Sequence, residues 1–390
     1  MPAKAPWRSS ARLTALLSLL LIVATIAACH QDKSVAPGYH EYAYVSNGKS
    51  NSVSVIDLLQ LRNVKTIPVG ADPSGVAASL TRNEIYVANA DSNNVSIIDA
   101  ERNQVVATIG VHAKPYYVSV TADGKRAYVA NSGSANVSVI DLAKRAVIAT
   151  IRVGGAPGMA KVSTDGKLVV ASNRADDSIS IIDAGKLAVR NTVKVCSQPQ
   201  DLAIVPDNSK VFVACPGSNQ VAAVDLKSGR LLTYLDVGQL PVQLALKPDG
   251  GELFVSNFDS NNFSIVETGT NEVGGTYLIG NNPAHGIATS DNTLLYMSNF
   301  GSGTVSVYAI DEGRVIGAVQ VGNHPDALAL TPDEAHLLVV DSGSGDVAVV
   351  RTLKTRDNSK ISADRALVTL IPVGNQPNDI VIKAFKTSGH

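Results

Sequence analysis

The residues able to do chemistry in this chain are few and dispersed. Its 390 residues include three cysteines and seven histidines. His285 stands among scattered carboxylates, and His112 and His324 fall in turns, so the spacing of a zinc site is not met. No Cys-x-x-Cys-His run offers haem attachment. No Gly-x-Ser-x-Gly turn stands between a strand and a helix to present a nucleophile; Gly301-Ser302-Gly303 and Gly343-Ser344-Gly345 read as hairpin turns. On this reading there is no catalytic residue, no metal and no cofactor to assign. What remains is a set of side chains one, two or four residues after a recurring proline: Tyr116, Tyr117, Lys161, Asp201, Gln243, His285, Asp326 and Asp379. Phenol, ammonium, carboxylate, amide and imidazole in one set suit the binding of a small polar ligand. The competing reading is a solvated rim with no ligand.

The proline recurs at 73, 115, 157, 199, 241, 283 and 325, each step being 42 residues, and once more at 377. Other landmarks keep the step. Tyr44-Val45-Ser46-Asn47 is followed by Tyr86-Val87-Ala88-Asn89 and Tyr128-Val129-Ala130-Asn131, and Val53-Ser54-Val55-Ile56-Asp57 returns at 95–99, 137–141 and 179–183. Each unit holds four short apolar runs separated by turn residues. Asp123-Gly124, Asp165-Gly166 and Asp249-Gly250 are hairpin signals, because both central positions need positive φ. Composition agrees: aromatic residues are 5% and glycines number 31, so the core must be Val, Ile, Leu and Ala on short strands. Four antiparallel strands in about forty residues, repeated radially, are the pattern of a β-propeller blade. The strands between residues 44 and 383 then make eight blades in an all-β fold, the first being completed by a lone C-terminal strand from Asp379 to Lys383. Seven blades with a frayed terminal unit is the alternative.

The Tyr-Val-Ala-Asn, Val-Ser-Val-Ile-Asp and Thr-Ile-x-Val-Gly-x-x-Pro elements resemble the YVTN family of propeller repeats over residues 44–383. The resemblance implies the fold strongly and function weakly. Similar propellers include lactone-cleaving enzymes and the domain that holds d-type haem in nitrite reductases, so an enzyme or cofactor-handling protein is the alternative to a non-catalytic binding scaffold. In this frame the proline-linked set lies at the mouth of the central channel. Lys161 stands where most blades have a small or apolar residue, and it is placed to pair with Asp201. Cys196 replaces the Gly of one Val-Gly-x-x-Pro turn and Cys215 the Asn of one Tyr-Val-Ala-Asn strand. Both fall at one rim on adjacent strands, which predicts a disulfide in an oxidising compartment, with two buried thiols as the alternative.

Residues 1–28 read as a secretory signal, with Lys4, Arg8 and Arg12 before an apolar stretch from Leu13 to Ile26. Ile26-Ala27-Ala28-Cys29 resembles a bacterial lipobox, which implies lipidation of Cys29, a tether over 29–41, a propeller over 42–385 and a tail over 386–390. The expected place is the bacterial cell envelope, with the lipid anchor in a membrane and the chain a monomer. The whole chain has 33 basic and 34 acidic residues. Removing the three basic residues of the signal leaves it mildly acidic, which argues against nucleic-acid binding. Phe258 and Phe300 follow the rim Asn in adjacent repeats and are candidates for a partner surface, or else pack on the loop beside them. Ten extra residues in the last unit make a charged loop within Thr352 to Ala366.

Overall fold

An apolar run that must fold back on the next run needs a tight reversal, and Gly124, Gly166 and Gly250 provide it with positive φ. In the computed structural model, which describes Met1 and residues 38–353 and 366–387, such turns join thirty-two strands into eight four-stranded antiparallel sheets. The expected signal segment, Cys29, most of the tether and the charged stretch at 354–365 lie outside the described residues. The propeller unit spans His40–Phe385.

Blade one runs from its inner strand Pro73–Ala78 through Glu84–Asn89 and Asn94–Asp99 to its outer strand Gln104–Gly110. Blades two to seven repeat it, with inner strands Pro115–Val120, Pro157–Val162, Leu202–Ile204, Pro241–Leu246, Pro283–Ala288 and Pro325–Leu330. Blade eight is made from both ends of the chain: Pro377–Lys386 is the inner strand, hydrogen-bonded to Tyr39–Asn47, followed by Ser52–Asp57 and Arg62–Pro68. The fold is therefore an eight-bladed propeller closed by its C-terminal strand, and the seven-blade alternative falls.

Eight apolar clusters fill the eight gaps between neighbouring blades. The closing blade is held on both sides. Ile56 and Ile380 meet Leu338 and Val347 of blade seven, while Tyr44, Val53 and Phe385 meet Val76 and Ile85 of blade one. Tyr44, Tyr86, Tyr128, Phe212, Phe254 and Tyr296 repeat at one place in the second strand and are fully buried, each worth about 1.5–3 kcal/mol of transfer free energy. Outer strands are open edges. All eight carry a register shift against the third strand, which bends the edge away from pairing with another chain.

The asparagine that ends the second strand is a lock. In six blades its side-chain amide is buried and donates to the start of the third strand, as Asn89 Nδ2 does to Asn94 Oδ1 at 2.7 Å and Ser96 Oγ at 2.9 Å. Asn47, Asn131, Asn173, Asn257 and Asn299 do the same. The preceding turn packs so closely on this residue that a Cβ on Gly70 would lie 2.7 Å from Asn89, and one on Gly154 2.7 Å from Asn173. Blade four has Cys196 at the glycine place and Cys215 at the asparagine place. The same close approach brings their Cα atoms to 5.6 Å, and the two are joined as a disulfide.

Blade seven has Asp341 at the asparagine place, wholly buried and directly across from Asp346, and the serine third in the set has become Ala348. A carboxylate cannot donate as the amide does. Both oxygens of Asp341 and one of Asp346 have no hydrogen-bond partner among the described residues. A proton held by the pair supplies the missing donor. Burial, then the neighbouring Asp346, pushes the Asp341 carboxyl up to about 8.

Two measurements check these locks. Reducing the Cys196–Cys215 bond, or replacing both with Ala, will lower stability by about 3 kcal/mol, given a closed loop of nineteen residues; equal melting temperatures with and without reductant would count against it. The folded chain keeps a proton on Asp341 that the unfolded chain loses above pH 4, so this residue's stabilisation is present at low pH and is lost as pH rises towards 8. Its contribution falls by about 1.4 kcal/mol per pH unit over that window. Asp341→Asn restores the amide and will abolish this slope in urea titrations between pH 5 and 9, with its largest gain in stability at the alkaline end.

Candidate functional site

Neighbouring inner strands touch one another from blade one to blade seven, and Asn378 and Asp379 of the closing strand bond to blade one; in a propeller the inner strands line the central channel. Side chains from this set bridge from blade to blade. Ser74 donates to the carbonyls of Pro115 and Tyr116, and Ser119 to that of Ala160. Lys161 Nζ donates to Asp201 Oδ1 at 2.8 Å and to the Leu202 carbonyl at 2.6 Å. Asp201 accepts the backbone N–H of Leu202 on one oxygen and that of Leu244, in blade five, on the other. Gln243 Oε1 accepts the N–H of Gly286 in blade six at 2.9 Å. Asp379 repeats the Asp201 pattern half-way round the ring, accepting from Ile380 and from Val76 of blade one. His285 Nδ1 and Asp326 Oδ1 lie 2.9 Å apart across blades six and seven.

The structure thus sorts the predicted set into two groups. Asp201, Gln243 and Asp379 are braces: an unpaired N–H between two inner strands would cost about 1–3 kcal/mol, and these acceptors satisfy it. Asp201 is only 3% exposed and has no room for a ligand atom. Tyr117 is half-buried and packs against the core cluster between blades two and three. Tyr116, His285 and Asp326 keep an accessible surface, with Tyr116 39% exposed and the side chains of His285 and Asp326 at 41% and 34%. Tyr116 and His285 stand four blades apart, so they face each other across the mouth of an eight-membered ring.

One residue outside the expected set joins this group. Arg174 reaches over the Tyr116 ring, its guanidinium carbon 5.2 Å from the centroid, a cation–π pair. Gly158 lies beneath it, where a Cβ would touch Arg174 Cδ and Nε at an ordinary 3.4 Å. Arg174 occupies the place after the rim asparagine where other blades have Gly48, Ala90 or Ser132, and Gly158 is the small residue just after its own blade's proline. That long-for-small exchange beside a glycine is the signal in the sequence.

The mouth is electrostatically tense. Burial pulls the His285 imidazolium down, but the hydrogen bond and charge of Asp326, with Asp201 and Asp379 behind, outweigh it and raise its pKa. Burial lifts the Asp379 carboxyl to about 6 against the pull of its two N–H donors. Lys161 loses hydration and yet is raised by Asp201. Arg174 has no carboxylate within ion-pair distance among the described residues. Beside the mouth, Phe258 and Phe300 pack on each other at 5.7 Å, and His324 stacks on Phe300 at 4.4 Å with the planes 4° apart. The two phenylalanines are half-buried in this ladder, and His324 is its exposed end.

The model of the YNCE-like β-propeller family matches residues 119–358, well over half of the chain, and the protein belongs to that family. None of the curated proteins matches it. Among solved structures it is similar to Kuenenia stuttgartiensis hydrazine synthase, with a TM-score of 0.59 and 22% identity over 73% of this chain and 97% of that one. It is similar to the dihydro-heme d1 dehydrogenase NirN in complex with DHE, at a TM-score of 0.73 and 14% identity over 87% and 74%. A functionally unknown protein from Desulfotomaculum acetoxidans gives 0.61 and 16% over 87% and 98%. Identities this low speak for the fold alone.

Replacing Asp201 by Ala takes the only carboxylate from the Lys161 ammonium and the acceptor from the Leu244 N–H, and will cost about 3 kcal/mol or more in chemical denaturation. Tyr116→Ala removes a half-exposed ring and will stay within about 1 kcal/mol of the parent. Equal losses from the two would refute the division into braces and exposed residues.

Proposed function

We propose that the protein is an envelope lipoprotein, anchored through lipid on Cys29, whose propeller binds a small ligand at the channel mouth without chemically changing it. The observation that carries this is the Arg174–Tyr116 corner: a cation with no carboxylate partner, held over an aromatic ring at an opening whose other polar groups are mostly committed to bracing. A ligand with a carboxylate or phosphate group would meet Arg174 on one side of the mouth and the His285 imidazolium on the other. Raising the pH ionises Asp379 near 6, which adds a negative charge, and then deprotonates His285, which removes a positive one. Affinity for an anion is therefore highest at mildly acid pH and falls towards pH 8.

The test is calorimetric titration of the chain lacking residues 1–28 with a panel of aromatic carboxylates and phosphate monoesters. A binder whose affinity drops about tenfold or more in Arg174→Gln, and falls between pH 5.5 and 8, supports the reading. Binding indifferent to Arg174 and to pH, or no binding across the panel, overturns it.

A second reading, a cofactor-handling protein, is favoured by one feature. Asp326 takes Nδ1 of His285, an arrangement that fixes the ring of a metal-ligating histidine and leaves Nε2 for the metal. The similarity to NirN adds only the shared fold. A visible absorption band in the purified protein that is lost in His285→Ala would move the assignment to this reading.

A further inference from the structure

A strand that starts at the mouth ends at the opposite, far rim, so a blade sends two turns there, one after its inner strand and one after its third. Charge on this far rim is divided by blade. In blades two to four, residues 123–126, 141–146, 165–168, 183–190, 207–210 and 225–230 hold ten Lys or Arg against six Asp. In blades five to seven, residues 247–252, 267–272, 291–294, 309–314 and 333–336, with Arg351, hold three against nine Asp or Glu among the described residues. Blades eight and one lie between and are near balance, with three against four in residues 57–62, 81–84 and 99–104. One half of the rim is therefore a basic arc and the other an acidic arc. Ion pairs such as Lys125–Asp123, Lys144–Asp141 and Lys167–Asp165 form inside the basic arc and leave its surplus of cations unchanged. The boundary carries apolar surface instead: Leu80 in the far-rim turn of blade one is 78% exposed, and Leu59 in that of blade eight 47%.

A partner of one charge sign, such as an anionic membrane, would be drawn to one arc and pushed away by the other. Both arcs are satisfied only by a partner that is itself divided in this way, and a second copy of the chain is. The order of the ring supplies the geometry. A two-fold axis in the plane of the rim can run between blades eight and one at one end and between blades four and five at the other. It sets blade two on blade seven of the second copy, three on six and four on five. Basic blades then face acidic ones on both sides of the axis, and one patch serves both copies, as an isologous contact requires. The exposed leucines of blades one and eight fall at the end of the axis, where covering them adds apolar burial to the contact.

We propose that the far rim is an interface between two copies of this chain, stacked rim to rim about that two-fold axis, in place of the monomer expected from the sequence. The mouth of each ring stays open, so ligand binding there and this contact stand or fall separately.

The test is sedimentation velocity of the chain lacking residues 1–28. At about 50 µM the parent will be a dimer in dilute salt and a monomer near 0.5 M NaCl, where screening acts within about 4 Å. Lys186→Glu with Lys227→Glu reverses two exposed cations of blades three and four, and Glu272→Lys with Glu312→Lys reverses two exposed anions of blades five and six. Each double variant will weaken the dimer about tenfold or more, because several attractions become repulsions together. An equimolar mixture of the two will dimerise more tightly than either alone, since in the mixed pair every reversed residue meets a reversed partner. Recovery on mixing is a readout that a folding defect does not give. Arg174→Gln, on the opposite rim, will leave the dimer unchanged. A parent that is monomeric in dilute salt at about 100 µM, a dimer indifferent to both reversals, or no recovery on mixing overturns the proposal. A monomer that binds phosphatidylglycerol vesicles through Lys186 and Lys227 gives the basic arc to a membrane, and overturns it too.

Discussion

A four-stranded blade is apolar on both faces, so it is stable in water only between two neighbours, and a row of blades always leaves two faces bare. The ring removes them only if its last gap is filled. Here that depends on one strand, Pro377–Lys386, entering the sheet begun by Tyr39–Asn47. Once it is in place, Ile380 completes the packing towards blade seven and Phe385 the packing towards blade one. Every other structural element, including the channel and its mouth, presupposes that closure.

The same closure explains why so few polar residues at the mouth are available for function. Inner strands of neighbouring blades converge without forming a continuous sheet, and some of their N–H groups would go unpaired. Asp201, Gln243 and Asp379 are spent on those groups, and Lys161 is held in turn by Asp201. What the braces do not use is Tyr116 under Arg174 on one wall, and His285 with Asp326 on the other. Specificity in such a ring comes from the blades that depart from the repeat, because identical positions cannot give a ligand an orientation.

Most of the fold was readable in the sequence, because a period of 42 residues and the Asp-Gly turns report local geometry. The cystine was readable for the same reason: Cys196 and Cys215 replace a glycine and an asparagine that touch in sister blades. The site was only half readable. Residue type at the mouth could be listed, but whether Asp201 braces a neighbouring strand or faces a ligand depends on the distance to Leu244, a residue in another repeat. Arg174 is not legible in the same way, because its pairing with Tyr116 joins places in two different blades. Phe258 and Phe300 are legible as neighbours, yet the ring that stacks on Phe300, His324, comes from the next turn.

The blade made from both chain ends also sets an order of events. Asp379 and the Val76 N–H that it accepts are 303 residues apart, while contacts within blades one to seven are local. Joining such distant segments carries a loop-closure cost that local hairpins do not pay, so it belongs late in folding. Until then the partly built ring presents bare apolar faces on blades seven and one, with hairpins already formed beside them. The vulnerable species for aggregation is thus an arc that is nearly complete, and what protects the protein from it is the speed with which a single ten-residue strand finds its place.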